Sequence, residues 1–126
     1  MSEFKSINII TAVIALILCL ILLLFPEFIF YLFGIQEHDS AFFIGRRASM
    51  LFLGISVLLW ASKNSKNSEP RQAICIGLAV SMIALAILGT AEYLRGFAGM
   101  GIFLAVITEF LLGAAYLKIW LYSKNA

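Results

Sequence analysis

Four long apolar stretches, separated by short polar or turn-forming segments, set the rhythm of this chain. They cover residues 6–25, 41–61, 71–94 and 100–122. A helix rising 1.5 Å per residue needs about 20 apolar residues to cross a hydrocarbon layer of about 30 Å. Each stretch meets that length, so each predicts a transmembrane helix. The segment 62–71, SKNSKNSEPR, is the clearest break. Within it Ser68-Glu69-Pro70 reads as a helix start with proline in the first turn. The connection 26–40 differs in character: aromatic and aliphatic at first, turning at Gly34, then polar. It predicts a short amphipathic segment lying in the outer interface. Residues 95–99 form a tight, glycine-bearing turn. The expected fold is therefore all-α: a single transmembrane domain over residues 1–126, built as a bundle of four membrane-spanning helices.

Small residues four apart mark faces where membrane helices approach closely. In the third stretch Ala73, Gly77 and Ser81 form such a row, and in the fourth Gly101, Ala105, Glu109 and Gly113 do. The first stretch offers Asn8, Thr11, Ala12, Ala15 and Cys19, and the second Arg46, Ser49, Leu53 and Ser56. A partial echo links the two halves. Phe52-Leu53-Gly54 leads to Trp60 and Ser62-Lys63, as Leu111-Leu112-Gly113 leads to Trp120 and Ser123-Lys124. This pattern fits two repeated helical hairpins. The spacings differ by one or two residues, however, and the simpler explanation is that Gly, Trp and Lys recur at equivalent depths in any membrane helix.

Composition agrees with the pattern: 63% of residues are hydrophobic and 13% charged, with a net charge of +2. A soluble chain of 126 residues has too small a core to hide so much apolar surface. The first apolar run is longer than the core of a typical signal peptide and is followed by Phe25-Pro26-Glu27 rather than a small-residue cleavage site. It is expected to be retained as a helix. Basic residues set the orientation. Lys5, the loop residues Lys63, Lys66 and Arg71, and Lys118 and Lys124 fall on one side of an even-numbered bundle. Arg46, Arg47 and Arg95 fall on the other, with Glu27, Glu37, Asp39 and Glu92. The positive-inside rule then places both termini in the cytoplasm. The charge is too dispersed for a nucleic-acid surface. Cys19 and Cys75 lie inside different helices, roughly 10–15 Å apart in depth, too far for a disulfide within the chain.

Glu109 is the main chemical lead, because a carboxylate in the middle of an apolar helix is costly unless it is paired or protonated. It lies about 12 Å along the helix from Gly101, while Arg46 and Arg47 lie about 6–8 Å from the outer end of theirs. Arginine side chains can span that offset, so the expected site is an outer-leaflet cluster of Arg46 or Arg47, Glu92 and Glu109. Tyr93, Arg95 and His38 are placed at its rim. One reading is a buried ion pair that fixes helix association. The other is a binding or proton-handling site, which intramembrane ionisable groups often mark.

Enzymatic chemistry has little support. His38 is the one histidine, so no histidine-based metal or haem site can form in a single chain, and neither cysteine has a histidine nearby to act as base. No phosphate-binding or dinucleotide fingerprint is present. No catalytic residue, metal or cofactor is expected.

Two groups of four-helix transport proteins invite comparison. The small multidrug resistance transporters use a glutamate in helix 1, where this chain has no acid. The signatures of the fluoride channels are absent. The chain instead resembles small bacterial four-helix membrane proteins to which no activity is assigned. The resemblance covers most of the chain. It rests on Pro26-Glu27 and Gly34 after the first helix, Arg46 or Arg47 and Gly54 in the second, the basic loop 63–71, and the acid Glu109 in the fourth. It implies a multi-pass protein of the bacterial cytoplasmic membrane. The expected function is that of a non-enzymatic accessory subunit or lipid-facing binding module. Membrane lipids, a second copy or another membrane protein would be its partners. The alternative is a small oligomeric carrier for a proton-coupled, anionic or amphipathic substrate, using Glu109 with Arg46 or Arg47.

Overall fold

The computed structural model describes residues 2–124, and all their regular structure is helical. Five helices follow one another: α1 (Ser2–Leu24), α2 (Pro26–Phe33), α3 (Asp39–Ala61), α4 (Glu69–Leu94) and α5 (Ile102–Lys124). Four of them, α1, α3, α4 and α5, are long and apolar enough to cross a membrane. At 1.5 Å per residue the 23-residue helices run about 35 Å. Helix α1 begins earlier than the apolar run alone indicates. Its first turn is polar on one side but buries Phe4, which is 1% exposed. Helix α5 likewise extends to Lys124, beyond the expected limit at 122.

The segment after α1 is a true helix. Pro26 occupies the first turn of α2, where a missing N–H costs nothing and the fixed φ suits the helix. Gly34 ends it in the left-handed region at φ 66°. The Ile35 N–H bonds back to Phe30 O at 2.9 Å, and Gly34 N–H to Tyr31 O at 3.2 Å, so the last carbonyls are satisfied. Two further glycines let this helix end meet the α4–α5 turn backbone to backbone. Gly99 N–H donates to Phe33 O at 2.6 Å. A Cβ on Gly101 would overlap the Leu32 carbonyl oxygen.

The long helices pack as two antiparallel pairs, α1 with α3 and α4 with α5. Between the pairs, α1 meets α5, while α3 and α4 are not closely packed. The start of α1, the end of α3, the start of α4 and the end of α5 share one end of the bundle, the terminal end. The hydrophobic core is concentrated there: Phe4 and Ala12, Leu59, Cys75, Leu78, Ala79 and Met82, and Leu112, Tyr116 and Ile119. Cys19 and Cys75 are both buried free thiols.

Two expected packing faces need correction. On α4 the row Ala73, Gly77 and Ser81 points outward, and a Cβ on Gly77 would meet nothing within 4 Å. The buried stripe of α4 is instead Cys75, Leu78, Ala79, Met82 and Ala86, in which small side chains alternate with the larger Leu78 and Met82. On α3 Ser49, Ser56 and Leu59 are buried, while Arg46 and Leu53 are exposed. Arg46 therefore lies beside the packing stripe of α3 and not on it. The stripe of α1, from Asn8 through Thr11, Ala12 and Ala15 to Cys19, is buried throughout.

Candidate functional site

Opposite the compact terminal end, the bundle opens into a groove of about 300 Å³. All five helices contribute to its wall. Leu18 and Ile21 come from α1, Leu32 and Phe33 from α2, Phe52 and Ile55 from α3, Met82 and Leu85 from α4, and Ala105 and Leu112 from α5. The lining is almost wholly apolar, and its polar members are Thr11, Thr108 and Glu109. Helix α2 closes one end, held by the Gly99–Phe33 backbone bond. The core closes the other.

Glu109 stands at the border between groove and core, half-buried on α5. Ala105 lies one turn before it and Gly113 one turn after. A Cβ on Gly113 would lie 2.8 Å from Ile83 Cγ1, so this face of α5 approaches α4 closely. No lysine or arginine of the described residues lies within ion-pair distance of Glu109. Thr108 donates its hydroxyl to Leu104 O at 2.9 Å, which leaves its oxygen lone pairs as acceptors. Thr11 Oγ1 is buried near the Tyr116 phenol but makes no hydrogen bond of normal geometry.

Beneath the groove a polar network ties three helices together. Tyr116 OH donates to Asn8 Oδ1 at 2.8 Å. Asn8 Nδ2 in turn donates to Leu59 O at 3.0 Å and to Ser62 Oγ at 3.1 Å. Asn8 and Tyr116 are each 0% exposed, so the centre of the network is buried, with Ser62 half-buried at its edge. Alongside it the Arg71 guanidinium stacks 4.4 Å from the centre of the Phe4 ring and donates to Ser65 O at 3.2 Å. Arg71 is 7% exposed, although its sequence neighbours are those of a solvated loop. Neither Asn8 nor Tyr116 stood out beside Glu109 as chemistry. The available signal was spacing: Glu109, Leu112 and Tyr116 recur on one helical face, and an asparagine near a helix start must find partners if buried.

The residues expected to cluster are dispersed. Arg46 and Arg47 are exposed on α3, Arg47 lying 6.0 Å from the centre of the Phe43 ring. Glu92 pairs with Arg95 at 3.9 Å, within the end of its own helix. Arg95 also lies over the Phe97 ring at 5.1 Å. Tyr93 packs edge-on against Phe103 of α5, with ring centres 4.9 Å apart. His38 occupies the N-cap position of α3 without a side-chain capping bond, exposed, and its Nε2 lies 3.4 Å from Gln36 Oε1. Of the expected set, Glu109 alone lines the groove. The physical reason is the rotation of α3, which turns Ser49 and Ser56 inward and its arginines outward.

A wider crevice of about 640 Å³ runs along the outside of α4 and α5. It has no ionisable lining, and its hydroxyl, Thr90, is already bonded to Ala86 O. It offers nothing with which to orient a ligand. No group of three or more His, Cys, Asp or Glu suited to a metal occurs among the described residues. Compared with protein-family models, curated proteins and solved structures, the chain matches none of them.

Proposed function

We propose that this chain is a non-enzymatic binding module of a bacterial cytoplasmic membrane, taking an apolar or amphipathic molecule from the bilayer into the groove between its two hairpins. The observation that carries this reading is the groove itself: a concave, largely apolar space walled by every helix, with a few convergent polar groups. Small-molecule sites have that composition, and about 300 Å³ is the lower end of their usual size. A single chain or a small ring system fits better than a two-chain lipid. The loose approach of α3 to α4 supports entry from the side.

In this proposal both termini face the cytoplasm, as the lysine distribution favours. Trp60 and Trp120 support the same placement. Each sits at the end of its helix beneath a lysine, Lys63 at 4.2 Å and Lys124 at 4.8 Å from the ring centres. Aromatic rings and lysines of this kind anchor helix ends at the membrane–water interface.

A purified sample in neutral phosphatidylcholine nanodiscs tests the proposal. A single-chain probe such as dodecanol should bind saturably, and Ala105→Phe, which fills the groove one turn from Glu109, should abolish that binding. Saturable binding that Ala105→Phe leaves intact would place the ligand elsewhere and refute the proposal.

A carrier is the second reading, favoured by hairpins that meet chiefly at the two ends of the bundle with the groove between them. Arg46 and Arg47 are too exposed to serve its substrate alongside Glu109. Protein-dependent movement of the bound probe between vesicle leaflets would select the carrier over the module.

A further inference from the structure

We infer that the groove selects amphipathic amines, Glu109 receiving the cationic head while the apolar wall takes the chain. This rests on the binding-module reading above and adds the chemical class of its ligand. Glu109 is the one ionisable side chain lining the groove. The cations of the described residues are engaged or exposed elsewhere. Arg71 lies on Phe4, Arg95 pairs with Glu92, Lys118 pairs with Glu3 at 3.7 Å, and Arg46 and Arg47 face outward. A carboxylate set among apolar side chains is stabilised by a donor or a cation, and the described residues supply neither within ion-pair distance.

The remaining polar groups point the same way. The Thr108 hydroxyl proton is committed to Leu104 O, so that side chain presents acceptor lone pairs. Thr11 can donate a single proton, and no backbone amide is free in mid-helix to hold an anion. A ligand carboxylate or phosphate would therefore face Glu109 with nothing to offset the repulsion. A neutral alcohol could donate one hydrogen bond but carries no charge. A primary or quaternary ammonium answers the carboxylate directly. The groove's size limits the apolar part to one chain or a small ring system.

The test is direct binding of four probes with the same chain to the full-length protein in phosphatidylcholine nanodiscs: dodecylamine, dodecyltrimethylammonium, dodecanol and dodecanoate. A hydrogen bond to a charged group amounts to about tenfold or more in affinity, so dodecylamine should bind about tenfold or more tighter than dodecanol, and dodecyltrimethylammonium, which has no N–H to donate, should gain from the ionic attraction alone and fall between them. Dodecanoate should bind weakest. Glu109→Gln should bring the cations level with dodecanol, and Glu109→Asp should restore part of the preference. Equal binding of cations and dodecanol by the unaltered protein, still lost in Ala105→Phe, would overturn the amine inference and leave the binding module standing. Saturable binding by none of the probes would remove both. Thermal unfolding of each variant keeps loss of fold distinct from loss of binding.

Discussion

Asn8 shares its side-chain amide among three helices, and its removal should be felt as a network and not as one bond. Hydrogen bonds between membrane helices average about 0.6 kcal/mol and reach about 1.7. Tyr116→Phe should destabilise by an amount in that range, because Asn8 Oδ1 would be left buried and unpaired. Asn8→Leu removes three such bonds and should cost more than Tyr116→Phe, and the double variant should cost less than the two added together. Strictly additive losses in reversible unfolding would show that the two side chains act independently. The Glu3–Lys118 pair offers the contrast. Both side chains are more than half exposed, so Glu3→Gln should change stability by less than about 0.5 kcal/mol. Glu109→Gln is expected to unfold no more easily than the unaltered protein, since no cation of the described residues loses a partner.

Contacts between elements depend on glycines whose roles differ sharply. Gly101 touches the end of α2 so closely that Gly101→Ala must move backbone, and overpacking of this kind costs about 1–3 kcal/mol. Gly77 lies in mid-helix with open space where a Cβ would go. Gly77→Ala should stabilise by up to about 1 kcal/mol through helix propensity alone. The two alanine variants should therefore move the unfolding midpoint in opposite directions. Loss of the α2–turn contact in Gly101→Ala should also weaken probe binding, because α2 closes the groove. If binding survives unchanged, α2 is not part of its wall in solution. The outward row Ala73, Gly77 and Ser81 shows why small residues were a poor guide on α4. A small side chain permits close approach but does not require it, and this helix has a second set of small residues, Cys75, Ala79 and Ala86, on the face that packs.

The molecule as a whole divides its two ends between stability and space. Buried apolar residues and the Asn8–Tyr116 network gather at the terminal end, while the opposite half is braced by α2 and holds the groove. The proposed membrane placement makes a test at this scale. Quenching of Trp60 and Trp120 fluorescence should be strongest with bromine placed near the lipid headgroup and weaker with bromine near the chain ends. Strong quenching from the chain ends would put the terminal end at the bilayer centre and discard the placement.

Residue pattern alone established the number of long helices, their approximate bounds, a distinct amphipathic segment after the first of them that turns at Gly34, and the buried stripe of α1. Length and hydropathy decide the first two. Proline followed by a left-handed glycine frames the third, and polar or small residues at helical spacing mark the last. Glu109 was also legible, as a charge in an apolar run. Its surroundings were not. Whether Arg46 faces Glu109 depends on the rotation of α3 about its axis, and a shift of one residue turns a helix face by about 100°. Only packing settles that angle: Ser56 donates to Ala12 O at 2.7 Å and Leu59 fills the core, so the arginines turn outward. Tertiary structure alone likewise brought Asn8 to Tyr116, 108 residues away, and left the groove beside Glu109. Periodicity fixes which residues share a face, but not which face meets which.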